Sequence, residues 1–106
     1  MNKKLYEMRA HILKAMAHPS RLMMLDAMNE RGEICVCDLV DVVGSDQSTV
    51  SKHLAILKQA GLVEDRKDGQ RSFYRLARPC VLNFFECVEQ VMEENLKEQH
   101  DILSAR

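Results

Sequence analysis

Apolar residues recur every three or four positions in the first third of the chain, which is the period of an amphipathic α-helix. They predict a first helix whose inward positions are Leu5, Met8, Ile12, Leu13 and Met16. Pro19 disfavours helical backbone in the residue before it and Ser20 is a good N-cap, so a second helix is expected to begin there. Its inward positions are Leu22, Met23, Leu25, Ala27 and Met28, and the segment 29–33 closes it.

Two further helices are predicted on either side of a tight turn. Apolar positions over 34–43 suit a short third helix, which ends at Gly44 because glycine readily takes the left-handed backbone that stops helices. A fourth helix is expected over 47–60, with Ser45 or Asp46 as its N-cap. Val50, Leu54 and Leu57 form its inward stripe, and its other face is almost wholly polar.

The period changes after the fourth helix. Residues 62–67 and 70–76 suit two β-strands, and Asp68-Gly69 between them suits a two-residue hairpin turn. A long final helix is expected from about Pro79, with its apolar face formed by Val81, Phe84, Phe85, Val88, Val91, Met92 and Leu96. The sequence thus predicts one domain over 1–106, mainly α with a β-hairpin (α+β), in the order α-α-α-α-β-β-α.

Composition narrows the class of protein. A chain of 106 residues buries a modest share of its apolar surface alone, so we expect a dimer. Hydrophobic residues make up 46% of the chain without a run long enough to span a membrane, and the polar first residues do not resemble a signal peptide. We therefore expect a cytoplasmic protein with no membrane partner. In that setting its four cysteines are expected as free thiols or metal ligands.

The net charge of −1 conceals a polarised chain. Residues 1–31 sum to +3 and residues 45–75 to +2, whereas residues 80–101 sum to −5. Such a distribution allows one face to approach phosphates while the last helix stays away from them.

The order of helix, tight turn, helix and charged hairpin predicts a winged helix-turn-helix, whose second helix enters the major groove of double-stranded DNA. The candidate base and phosphate contacts on the fourth helix are Gln47, Ser48, Thr49, Ser51 and Lys52. His53 either touches phosphate or packs beside the turn. On the hairpin, or wing, the candidates are Arg66, Lys67, Gln70 and Arg71, although any exposed hairpin also needs charge for solubility.

Cys35 and Cys37 are close enough to bind one soft ion together, because thiolates prefer ions such as arsenite, antimonite, cadmium and lead. In a regular helix, residues two apart point about 200° from one another. We therefore expect ion binding to distort the start of the third helix. Through the short turn at 44–46, such a distortion would reorient the fourth helix.

Several motifs together resemble the ArsR/SmtB family of bacterial metal- and metalloid-responsive repressors. They are Ala17-His18-Pro19-Ser20-Arg21-Leu22, Glu33-Ile34-Cys35-Val36-Cys37-Asp38-Leu39, Gln47-Ser48-Thr49-Val50-Ser51-Lys52-His53-Leu54, Ala60-Gly61-Leu62-Val63, Asp68-Gly69-Gln70-Arg71 and Phe73-Tyr74-Arg75-Leu76. The resemblance implies a homodimer through the first and last helices. It also implies binding to operator DNA without a cofactor, and release when an inducer binds.

The resemblance also implies a ligand set. Arsenite sensors of the subclass usually carry a third cysteine where this chain has Val40. A third thiolate would then come from Cys80, Cys87, the other subunit or a small exogenous thiol. The family's dimer-interface zinc site aligns with Arg78, Cys80, Val91 and Glu94, which lack three of its four usual ligand types.

The leading hypothesis is a dimeric repressor induced when arsenite or antimonite binds Cys35 and Cys37, with cadmium or lead as alternative inducers. A second hypothesis keeps the DNA binding but uses oxidation or reactive sulfur at Cys80 or Cys87 as the signal. A third is a protein-interaction module without a specific operator. An enzyme is disfavoured, because no arrangement of nucleophile and base and no phosphate-binding glycine loop is visible.

Overall fold

The computed structural model describes residues 1–105, which form a winged helix-turn-helix of mainly helical structure with a β-hairpin, as the sequence predicts. The elements are α1 (Lys3–Met16), α2 (Pro19–Arg31), β1 (Ile34–Cys35), α3 (Val36–Val43), α4 (Gln47–Gln59), β2 (Val63–Asp68), β3 (Arg71–Leu76) and α5 (Phe85–Ser104). In the described part of the chain, no helix is both long and apolar enough to cross a bilayer.

The start of α2 differs from the prediction. Its N-cap is His18, whose Nδ1 accepts a hydrogen bond from the Ser20 backbone N–H at 3.1 Å. Pro19 is the first helical residue, a position where a missing N–H costs nothing and a fixed φ is suitable. The expectation that Ser20 caps this helix is therefore wrong.

The third helix is shorter than predicted because its first two expected residues form a strand. Ile34 and Cys35 make β1, which pairs antiparallel with β3 so that Ile34 lies opposite Tyr74 and Cys35 opposite Phe73. The wing hairpin β2–β3 thereby becomes a three-stranded sheet in the order β1-β3-β2. The additional element corrects the predicted order, and it attaches the cysteine segment to the wing.

The hairpin turn lies one residue later than predicted. Asp68 still pairs with Arg71, so the two turn residues are Gly69 and Gln70. Gly69 has φ +65°, whereas no described residue other than glycine has a positive φ. Positive φ at the first central position alone is the pattern of a turn that requires glycine there.

The core lies where α2, α3, α4 and the base of the wing meet. Val50, Leu54 and Leu57 of α4 are each 0% exposed, which confirms the predicted inward stripe. They pack in one cluster with Met24, Leu25 and Leu39 from the two preceding helices. This burial fixes α4 in the fold and leaves its polar face outward.

The last helix begins later than predicted, and the apolar faces of both terminal helices are largely uncovered within one chain. The segment Pro79–Leu82 is a 3₁₀ turn, in which the Asn83 N–H donates to the Cys80 carbonyl oxygen, and α5 begins only at Phe85. None of the described side chains of α5 is buried within one chain. On α1, burial is limited to Ala15 and Met16. The apolar faces predicted for both helices are therefore largely uncovered.

Candidate nucleic-acid interface and metal site

The turn between α3 and α4 has the predicted helix-stop and helix-start residues. Gly44 ends α3 in the left-handed conformation, with φ +76°. Asp46 then caps α4, accepting a hydrogen bond from the Thr49 N–H at 2.8 Å. Hydrogen bonds from the backbone and the side chain of Thr49 lower the pKa of Asp46 below its usual value. A charged cap therefore fixes the first turn of α4.

The polar side chains predicted to read DNA lie exposed at the start of α4, away from its buried stripe. They are Gln47, Ser48, Thr49, Ser51 and Lys52. An exposed polar helical face following a tight turn is the arrangement that inserts into a major groove. Their contacts with bases or phosphates stay a prediction.

His53 is half-buried and faces the protein rather than solvent. Its Nδ1 accepts a hydrogen bond from Arg21 Nε at 3.1 Å, and its ring lies 4.4 Å from the ring of His18. Burial, followed by the charges of His18 and Arg21, lowers the pKa of His53. This geometry corresponds to the packing alternative in the sequence analysis.

The candidate DNA-contacting residues on the wing differ in whether their side chains already have partners within the protein. Lys67, Gln70 and Arg71 are exposed around its tip. Arg66 is also exposed, but its guanidinium group bonds the carboxylate of Glu33 and lies 4.7 Å from the centre of the Phe73 ring. Arg66 therefore braces the wing against the segment that precedes β1, and the role expected for it at DNA stays a prediction.

The two cysteines of the Cys35-Val36-Cys37 motif meet without deforming a helix. Cys35 lies before α3 with extended backbone and acts as its N-cap, its Sγ accepting a hydrogen bond from the Asp38 N–H at 3.2 Å. Cys37 lies in the first turn of α3. The two sulfurs are joined in a disulfide, with the Cα atoms 5.3 Å apart.

This geometry bears on two expectations. The sequence predicts free thiols or metal ligands, whereas the two sulfurs are bonded to one another in the structure, and their role as metal ligands stays a prediction. The expectation that ion binding distorts α3 assumes that both cysteines are helical, and that assumption is wrong. Because Cys35 precedes the helix, both sulfurs reach the same side of its N-terminus.

The same place has a possible third ligand. A sulfur of Cys35, a sulfur of Cys37 and a carboxylate oxygen of Asp38 all lie within 4.8 Å of one another. When reduced, two thiolates and one carboxylate suit soft or borderline ions. Cys80 and Cys87 are free and exposed, and neither belongs to this cluster of described residues. Asp38 adjoins the motif in sequence, so adjacency was the signal that could have identified it.

A cavity of about 380 Å³ connects the cysteine pair with the candidate DNA-binding residues. Its lining comes from three regions of the fold: Cys35, Val36 and Cys37 at the start of α3, Gln47 and Ser51 on α4, and Gln70, Arg71, Ser72 and Tyr74 on the wing. Sequence spacing alone couples the cysteines to α4 only through the turn at 44–46. The cavity and the pairing of β1 with β3 add two shorter routes that sequence spacing does not reveal.

Comparison with known proteins agrees with this architecture. Residues 18–65 match the family described as "Bacterial regulatory protein, arsR family". An uncharacterized HTH-type transcriptional regulator of Methanocaldococcus jannaschii is 41% identical over 86 residues, which are 81% of this chain and 97% of the relative. The arsenical resistance operon repressor of Escherichia coli is 41% identical over 66 residues, which are 62% of this chain and 56% of the relative.

Among solved structures, the chain is similar to a homodimeric winged helix-turn-helix DNA-binding domain from Mycobacterium bovis, described as a possible ArsR-family transcriptional regulator. The TM-score is 0.73 at 35% identity, and the match covers 91% of this chain and 88% of that one. These relatives are transcriptional regulators rather than enzymes.

Proposed function

Since this chain belongs to the ArsR family of bacterial regulatory proteins and is a DNA-binding transcriptional repressor, we propose that it is a homodimer that releases its operator when Cys35 and Cys37 bind a soft metal or metalloid ion. Arsenite or antimonite is the proposed inducer, with cadmium or lead as the alternative. No cofactor is needed for binding to double-stranded DNA.

One observation carries the proposal: the cysteine pair lines the same cavity as four candidate DNA-contacting residues, which are Gln47, Ser51, Gln70 and Arg71. An ion held by reduced Cys35 and Cys37 would lie beside Gln47 and Ser51 of α4 and beside Arg71 of the wing. Asp38, a water molecule or a small thiol would complete the coordination of the ion. This third ligand would occupy part of the cavity. The side chains of Gln47, Ser51 and Arg71 must be free to reach DNA, and the occupied site would displace them or hold them in the cavity.

Strand pairing supplies a second connection to the wing. Cys35 lies opposite Phe73, and Phe73 lies opposite Arg66, so the three residues form one row across the sheet. A change in the backbone at Cys35 on ion binding is therefore transmitted to both wing strands through hydrogen-bonded neighbours. Tighter ion binding to the DNA-incompetent state by about 2.7 kcal/mol would lower operator affinity about a hundredfold.

The uncovered apolar faces support the homodimer. Leu13 on α1 is 52% exposed and Leu96 on α5 is 65% exposed. Between these helices an apolar cavity of about 440 Å³ is lined in part by Leu13, Met16, Phe84, Val88 and Met92. The Cα radius of gyration is 17.0 Å, against about 13 Å for a compact chain of this length. A second copy is the occupant that covers these faces.

A titration of operator DNA tests the proposal. The reduced protein, freed of dithiols and kept anaerobic, is bound to a fluorescent duplex selected from a random pool, and arsenite or cadmium is added while anisotropy is recorded. We expect one preferred sequence with twofold character and release by at least one of these ions. Equal affinity for all duplexes contradicts the repressor, and retention of DNA at saturating ion contradicts the inducer site.

X-ray absorption on the arsenite-loaded protein identifies the ligands. Two protein sulfurs and one lighter neighbour or one exogenous sulfur are expected around each ion. Loss of a sulfur neighbour in Cys80→Ser or Cys87→Ser would instead show that one of these cysteines supplies the third ligand.

A further inference from the structure

We infer that Cys35 and Cys37 also form a reversible thiol–disulfide switch that reacts with small carboxylate-bearing disulfides, and that oxidation keeps the repressor on DNA and unresponsive to its inducer. The inference rests on the proposed function, because it concerns the same site. It differs from the redox hypothesis of the sequence analysis, which used Cys80 and Cys87.

The oxidised pair is compatible with an intact DNA-binding unit. With the disulfide in place, Cys35 still caps α3, Gly44 still ends that helix and Asp46 still caps α4. Cys35 also keeps its pairing with Phe73 in the sheet. The bonded pair is therefore compatible with a capped α4 and an intact wing, and operator binding is expected to survive oxidation.

Oxidation does remove the ion site. Thiolates, rather than disulfide sulfurs, are the ligands that hold soft ions. Of the clustered groups at this site, only the carboxylate of Asp38 would keep its charge. One exposed carboxylate does not select a soft ion, so the oxidised protein is expected to ignore the inducer.

The surroundings of the pair indicate which sulfur reacts first and with what. Cys37 is exposed, whereas Cys35 is 6% exposed. The cavity of about 380 Å³ beside them is large enough for a small organic molecule, and its lining includes Arg71, whose side chain carries a guanidinium group. Within residues 1–105, that group has no salt bridge to a carboxylate of the protein. A small disulfide that carries carboxylates matches this charge.

The exchange takes two balanced steps. The Cys37 thiolate attacks one sulfur of the small disulfide, forming a mixed disulfide and expelling one small thiolate. The Cys35 thiolate then attacks the Cys37 sulfur, closing the intrachain bond and expelling the second small thiolate. The protein dithiol is oxidised by two electrons, and the small disulfide is reduced to two thiols.

The test treats reduced full-length protein with oxidised glutathione under nitrogen and removes the reagent before any measurement. Mass spectrometry should find the Cys35–Cys37 bond as a loss of two hydrogen atoms from the peptide that contains both residues. Operator affinity should stay within about twofold of the reduced protein, while the arsenite or cadmium concentration for half-release rises at least about tenfold. Reduction with a phosphine should restore the response.

Matched variants show which cysteines are responsible for the changed response to the ion. Cys80→Ser combined with Cys87→Ser should behave as the parent, whereas Cys37→Ser should form no intrachain bond. The inference is overturned by failure of the bond to form, by release of operator on oxidation, by an unchanged ion response, or by dependence on Cys80 or Cys87. If the reduced protein keeps its operator in the presence of every ion tested, the proposed function is contradicted, and the inference that rests on it is contradicted as well.

Discussion

Arg66 on the wing donates a bifurcated hydrogen bond to the carboxylate of Glu33, a residue that lies just before the cysteine segment. The Arg66 Nε atom is 2.8 and 2.9 Å from the two carboxylate oxygens of Glu33, and this contact lowers the pKa of Glu33. The charge of Arg66 is therefore partly neutralised within the protein. Arg71, near the wing tip, has no such carboxylate partner in the described part of the chain.

This difference predicts unequal roles at DNA. Arg71→Ala should reduce the slope of log affinity against log salt by about 1, because one phosphate contact is lost. Arg66→Ala should change the slope less, since its charge already faces Glu33. Binding isotherms at several salt concentrations measure both slopes. An equal loss of slope in the two variants would show that Arg66 leaves Glu33 to bind phosphate.

Lys52 is exposed on the outward face of α4 and is expected to contact the DNA backbone. Lys52→Ala should weaken operator binding about tenfold, with a similar loss for unrelated duplexes, and leave ion affinity unchanged. Lys97→Ala, on the exposed surface of α5, is the matched control. Equal effects of the two substitutions would indicate general electrostatics rather than a contact from α4.

The lowered pKa of His53 predicts a dependence of stability on pH. The unfolded chain takes up a proton near the ordinary histidine pKa of about 6.5, while the folded protein does so only at lower pH. The free energy of unfolding should therefore fall as pH decreases below that value. Urea unfolding at pH 7.5 and 5.5 measures the fall, which His53→Gln should reduce and His100→Gln, at an exposed site, should not.

A charge on the apolar face of α5 should separate the proposed dimer. Met92 is 56% exposed in one chain and lines the cavity between α1 and α5. Met92→Asp should raise the dimer dissociation constant at least about a hundredfold, because an unpaired carboxylate would be buried in the interface. Sedimentation equilibrium measures the change, with the exposed Glu93→Gln as control. A monomeric parent protein would refute the dimer itself.

The sequence predicted those parts of the fold that depend on local periodicity. The stripe of Val50, Leu54 and Leu57, the helix stop at Gly44 and the hairpin all follow from patterns within a few residues. The strand formed by Ile34 and Cys35 does not, because two residues form a strand only by pairing with β3, which is distant in sequence. Local periodicity instead assigned both residues to a helix.

The sequence predicts which residues form the candidate site, and those roles stay predictions, but it does not predict the geometry that brings the residues together. The spacing of Cys35 and Cys37 indicated a shared ion, and the polar face of α4 indicated DNA. Cysteine is an uncommon N-cap, so sequence rules did not place Cys35 outside α3. The shared cavity depends on the wing folding back over α3, which only the tertiary structure reveals.

An arsenite titration of reduced, operator-bound protein compares Cys37→Ser with the parent, and Cys87→Ser serves as control. If the thiol pair governs DNA binding, the parent and Cys87→Ser release DNA at the same arsenite concentration. Cys37→Ser should stay bound at concentrations at least about tenfold higher. Release of DNA by Cys37→Ser at the parent's arsenite concentration would show that the thiol pair does not govern DNA binding.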